Sequence, residues 1–76
     1  MKVQVRTFAR YRELLGFECL ELPLPEPPTL EALLADPRLV ALPQDALMAV
    51  NRAFVGRDAR ISSGDEVALM PPVSGG

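Results

Sequence analysis

The sequence has no histidine and no tryptophan, one cysteine, three phenylalanines and one tyrosine. Without an imidazole, most Ser/His and Cys/His nucleophile–base designs and the usual zinc sites are excluded. A lone cysteine cannot close an intrachain disulfide, which excludes a secreted disulfide scaffold. The five glycines are scattered and build neither of the Gly-rich phosphate-binding motifs, so the chain is not equipped to hold a nucleotide by itself. Eight Lys/Arg against ten Asp/Glu give a formal charge of −2, without the basic excess of a nucleic-acid binder. No apolar run approaches the roughly 18 residues of a membrane span. The opening MKVQVRTF alternates where a signal peptide would carry an apolar block. The expectation is a cytoplasmic protein with no nucleic-acid or membrane partner and with no cofactor or metal bound by its own side chains.

What is present suits one small domain. The chain has 76 residues, 49% of them hydrophobic, and a domain of this size buries only about 60% of its unfolded surface. Lys2 to Phe8 alternates, with Val3, Val5 and Thr7 on one face and Lys2, Gln4, Arg6 and Phe8 on the other, which predicts a strand with Val3 and Val5 inward. ARYRELLG predicts a short helix with Leu14 and Leu15 packed inward and Gly16 as its C-cap. FECLELPL alternates again and predicts an antiparallel neighbour of the first strand, placed at the sheet edge by Pro23. After PEPP, Thr29 is a good N-cap for a longer helix whose Leu30, Leu33 and Leu34 form a core-facing stripe. Asp36-Pro37 either ends that helix or caps a second short turn over Arg38 to Leu42. ALMAVNRAFVG predicts a strand, a tight turn at Asn51-Arg52 and a very short strand at Phe54-Val55. A turn at Ser63-Gly64-Asp65 then leads to a final strand, Glu66 to Met70, with Val67 and Leu69 inward. The fold class is α+β, one sheet with a helix packed across one face.

The last block, ALMPPVSGG, asks for a functional explanation. Pro71 and Pro72 donate no N–H, so they end the strand, and adjacent prolines favour an extended path. The domain organisation expected is a body over 1–70 and an extended tail over 71–76, with a mobile tip at Ser74 to Gly76. Gly75 and Gly76 carry no Cβ, so a partner's walls can close around their backbone. The most reachable reactive group is then the terminal carboxylate of Gly76. Other candidates are weaker. Cys19 reads as a small apolar strand residue rather than a sulfur relay. Asp65 and Glu66 are strand neighbours pointing to opposite faces, so their carboxylates do not converge, and Asp65 suits a turn.

With these residues in place, the sequence resembles the MoaD/ThiS group of ubiquitin-like proteins, which includes the small sulfur-carrier subunit of molybdopterin synthase. FARYRELLG is similar to that group's opening at Phe8, Ala9, Arg12, Glu13, Leu14 and Gly16. Val50 and Asn51 match its Val-Asn turn, and GDEVALMPPVSGG matches its ending throughout. The helical middle departs from the pattern, being shorter and interrupted by Pro37. The resemblance implies a β-grasp fold and a tail, Pro71, Pro72, Val73, Ser74 and Gly75, that inserts into a large synthase subunit. It implies that an adenylyltransferase similar to ubiquitin-activating enzymes uses ATP and magnesium to activate Gly76. A sulfur donor protein then makes the thiocarboxylate, whose sulfur goes to cyclic pyranopterin monophosphate during molybdenum cofactor biosynthesis. It further implies an apolar partner contact at Phe54 and a contact with the activating enzyme at Arg12, which otherwise reads as a solvated helix charge. Phe8 and Met70 either are ordinary exposed apolar residues or form with Phe54 a partner patch beside the root of the tail. Alternation puts Phe8 and Met70 on the sheet face away from the helix, while the strand at Phe54 is too short for its face to be assigned. Two other functions use the same Gly-Gly end: a sulfur carrier for thiamine or tRNA thiolation, and a ubiquitin-like modifier joined through Gly76 to lysines.

Overall fold

The computed structural model describes residues 1–72. The elements are β1 (Lys2–Thr7), α1 (Tyr11–Leu15), β2 (Cys19–Pro23), α2 (Leu30–Leu34), β3 (Leu47–Val50), β4 (Ala53–Val55) and β5 (Glu66–Met70). They form a mixed five-stranded sheet in the order β2-β1-β5-β3-β4. β1 and β5 run parallel at its centre, and the remaining neighbours are antiparallel. This is the β-grasp arrangement, and β2, with Pro23 at its end, is an edge strand, where a residue without an N–H is tolerated.

Register accounts for the core. Val3 lies opposite Leu22, Val5 beside Val67 and Thr7 beside Leu69, so one face of the sheet carries a continuous buried set. Leu30, Leu33 and Leu34 cover it from α2, whose N-cap Thr29 accepts a hydrogen bond from the Ala32 N–H at 3.2 Å. Buried Thr7 is satisfied by donating its hydroxyl proton to the Phe17 carbonyl.

Two expectations are corrected. Leu14 is exposed, and the side chain that α1 drives into the core is Tyr11, which is fully buried. In α1 the core-facing line runs from position i to i+4. Tyr11 and Leu15 occupy it, leaving Leu14 roughly 100° round the axis. The helix over Leu30, Leu33 and Leu34 is five residues rather than long. Pro37 supplies no donor, and the Asp36 carboxylate accepts the Arg38 N–H at 2.8 Å, which redirects the chain. From Asp36 to Leu42 the backbone makes successive three-residue closures, Leu39 N–H to Asp36 carbonyl and Leu42 N–H to Leu39 carbonyl. These turns still bury Leu39 and Leu42, so the hydrophobic pattern is satisfied without a second helix.

The β3–β4 hairpin turns on Asn51 and Arg52, both left-handed at φ 51° and 72°, the geometry of a two-residue primed turn. Asn51 locks this turn to β5. Its Nδ2 donates to Asp65 Oδ1 at 3.0 Å, its Oδ1 accepts the Glu66 N–H at 3.0 Å, and its own N–H donates to the Glu66 carbonyl at 2.8 Å.

Candidate functional site

The outer face of the sheet follows from the same register. Arg6, Ala68, Ala49 and Phe54 lie side by side across β1, β5, β3 and β4. Leu47 and Met70 form a parallel row one step nearer the end where β5 stops. Phe8 joins that row, because its N–H donates to the Leu69 carbonyl at 3.2 Å and continues the β1–β5 ladder past the end of β1. Ala49 and Ala68 are paired small residues at the centre, and larger side chains stand around them. The result is a hollow of about 320 Å³ floored by the two alanines and walled by Phe8, Phe54 and Met70. Phe8 is 41% and Phe54 70% exposed, so among the described residues neither aromatic ring is covered.

Charge borders the hollow. Arg6 and Glu66, both lining it, form an ion pair at 3.4 Å. Arg52 lines it from the hairpin turn. Among the described residues, no group of three or more His, Cys, Asp or Glu could hold a metal ion. The face thus offers shape, apolar surface and charge, which suits docking of another protein.

β1 and β5 are parallel, so both finish at the same edge of the sheet, and Pro71 and Pro72 leave from that edge immediately after Met70. The root of the tail therefore sits beside Phe8 and Met70. Val73, Ser74, Gly75 and Gly76 lie outside the described residues. Of the expected partner residues, Phe8, Phe54 and Met70 are brought to one hollow, and Phe54 acquires a definite face through its pairing with Ala49. Arg12 is not among the residues lining that hollow. It stands exposed on α1 and pairs with Glu18 at 3.7 Å. Cys19 is exposed on the edge strand opposite Arg6. Sequence reasoning missed the paired alanines and Arg52. The signal for the first was a small residue at an outward position of each of two strands, but their adjacency depends on strand order.

The model of the ThiS family matches residues 5–76. The molybdopterin synthase sulfur carrier subunit of Escherichia coli (strain K12) is 40% identical over 81 residues, covering 97% of this chain and 99% of that protein. Among solved structures, a putative molybdopterin converting factor subunit 1 from Pyrococcus furiosus superposes with a TM-score of 0.83 at 31% identity, covering 96% of this chain and 99% of the other. A chain of the complex of subunits 1 and 2 of the molybdopterin-converting factor from Helicobacter pylori superposes with a TM-score of 0.70 at 25% identity, with full coverage of both chains.

Proposed function

We propose that this chain, which belongs to the ThiS family, is the sulfur-carrier small subunit of a molybdopterin synthase. The observation that carries the reading is its 40% identity to such a carrier over nearly the whole of both chains. The complex of subunits 1 and 2 formed by the Helicobacter pylori relative supports a large subunit as partner.

The chemistry belongs to the Gly76 carboxylate. At neutral pH a terminal carboxylate, with a pKa of roughly 3.3–3.7, is an anion and a poor acyl donor. Attack of its oxygen on the α-phosphorus of ATP, with pyrophosphate leaving, makes an acyl-adenylate and splits one hard step into two easier ones. Sulfide-level sulfur supplied by a sulfur donor protein then attacks the acyl carbon, the bond from that carbon to the AMP oxygen breaks as AMP leaves, and a thiocarboxylate remains. Delivery of that sulfur to cyclic pyranopterin monophosphate breaks the acyl carbon–sulfur bond, and water restores the carboxylate. The nucleotide, its magnesium and the acid–base groups are supplied by partners.

This chain's part is to present the acyl group. The hollow walled by Phe8, Phe54 and Met70 docks on the large subunit and fixes the tail's root. Pro71 and Pro72 hold the first steps extended, and the six residues after Met70 reach at most about 20 Å. Confining the reacting end in this way replaces a free encounter with a local one. Arg12, away from the hollow, suits a separate contact with the activating enzyme.

The test is reconstitution. The thiocarboxylated chain, mixed with its large subunit and cyclic pyranopterin monophosphate, is expected to yield the dithiolene, and the variant lacking Gly76 to yield none. Failure of the intact chain to support transfer, or discovery of its Gly76 joined to lysines of other proteins instead, contradicts the proposal.

A further inference from the structure

The hairpin turn contains a residue that the fold does not explain. Arg52 has φ 72°, in the left-handed region where a Cβ is crowded and where glycine is favoured in a two-residue hairpin turn. Asn51, its left-handed neighbour, is justified by the hydrogen bonds that tie it to Asp65 and Glu66. The Arg52 side chain makes no hydrogen bond or ion pair among the described residues. It nevertheless lines the outer-face hollow together with Phe54.

The charges around that hollow do not cancel. Arg6 and Glu66 neutralise each other at 3.4 Å. Asp65, the acidic residue before β5, is engaged by the Asn51 Nδ2 at 3.0 Å and by the Ser62 N–H at 2.7 Å. Asp65 does not line the hollow, and of the three charged residues that do, Arg6, Glu66 and Arg52, the Arg52 guanidinium is the one without an ion-pair partner among the described residues. A strained backbone position that retains an exposed arginine with no partner among the described residues points to a use outside the body of the domain.

We infer that Arg52 is a specificity-determining docking residue, an inference that rests on the sulfur-carrier reading. The large subunit fills the hollow with an apolar side chain and sets a carboxylate against Arg52. The planar guanidinium fork matches a carboxylate in a defined orientation, so the contact fixes how the partner sits on the face as well as attracting it. A charge at the rim of an interface acts chiefly on the rate of association and on its salt dependence.

The experiment measures association and dissociation rates of the full chain with its large subunit at about 50 mM and about 0.5 M salt, for the wild type, Arg52→Gly and Arg52→Lys. Melting curves accompany each. Arg52→Gly relieves the left-handed strain and is expected to melt no lower than the wild type. Its association rate is expected to fall about two- to fivefold at low salt, with the difference vanishing at high salt. Arg52→Lys keeps the charge and is expected to retain most of the rate. If the wild type binds and Arg52→Gly associates equally fast at both salt concentrations, the assignment of Arg52 is overturned while the sulfur-carrier reading stands. If Arg52→Lys is as slow as Arg52→Gly, the charge is not the cause and the assignment fails. If the wild type does not bind the large subunit at all, or pairs with a second copy through this face instead, both readings fail.

Discussion

Tyr11 has the bulkiest of the fully buried side chains, and its hydroxyl has no hydrogen-bond partner among the described residues. Leaving a buried hydroxyl unpaired costs about 1–3 kcal/mol, so Tyr11→Phe removes a liability and keeps the ring. Urea unfolding is expected to show it equal to the wild type or about 1 kcal/mol more stable. A clear loss of stability would reveal a partner for the hydroxyl. Tyr11→Ala is expected to cost about 3–5 kcal/mol, a large part of the whole stability of so small a domain. Phe8 and Met70 have the opposite character. They stand on the outer face, so replacing both with alanine is expected to leave the melting transition cooperative. Binding to the large subunit should weaken by about 30-fold or more, following the roughly 2 kcal/mol typical of an interface anchor. Calorimetry alongside thermal unfolding separates the two effects. Unchanged affinity would move the interface elsewhere, and a collapsed transition would place these side chains in the core. The inward places of Val3, Val5, Val67 and Leu69 were legible because alternation along a strand fixes faces without knowledge of its neighbours. The role of Tyr11 was not, because a one-turn helix is too short for periodicity to choose between Tyr11 and Leu14.

At the scale of elements, the turn after α2 is held by the Asp36 carboxylate. Its hydrogen bonds from the Arg38 side chain and backbone N–H hold it below the usual value of 3.8. Because its folded value is lowered, its contribution is fully present above the unfolded value and is lost as pH falls through the folded one. Asp36→Asn is therefore expected to be less stable than the wild type at neutral pH, with the gap closing as the pH is taken down through and below the carboxylate range. Melting curves from pH 7 to about 2 check this, and a gap that widens on acidification contradicts it. The two hairpin-turn residues were legible, since Asn51-Arg52 between apolar runs leaves no room for a longer loop. The ties from Asn51 to β5 were not, because they join positions 14 and 15 residues apart through strand order. Asn51→Ala removes both side-chain bonds and its tolerance of the left-handed region, and is expected to cost about 1–2 kcal/mol. The length of α2 was misread for a related reason. Asp36-Pro37 leaves open whether the helix ends there or a second short turn follows over Arg38 to Leu42, and the Asp36–Arg38 bond with the closures after it shows that successive turns carry Leu39 and Leu42.

At the scale of the molecule, the parallel pairing of β1 with β5 matters most for function, because it brings the end of one strand and the root of the tail to the same edge of the sheet. An outer face for Phe8 and Met70 followed from alternation, whereas their meeting with Phe54 over Ala49 and Ala68 needed the order β1-β5-β3-β4. The whole account rests on a body that docks and a terminal carboxylate that reacts. Its most direct test is the intact mass of the chain after incubation with its activating enzyme, ATP, magnesium and a sulfur donor, followed by fragmentation. The account predicts that one oxygen is exchanged for sulfur and that fragmentation places the exchange on Gly76. It also predicts that a variant with one residue added after Gly76 gains no sulfur. Sulfur found on Cys19, or loading that survives the added residue, would contradict it.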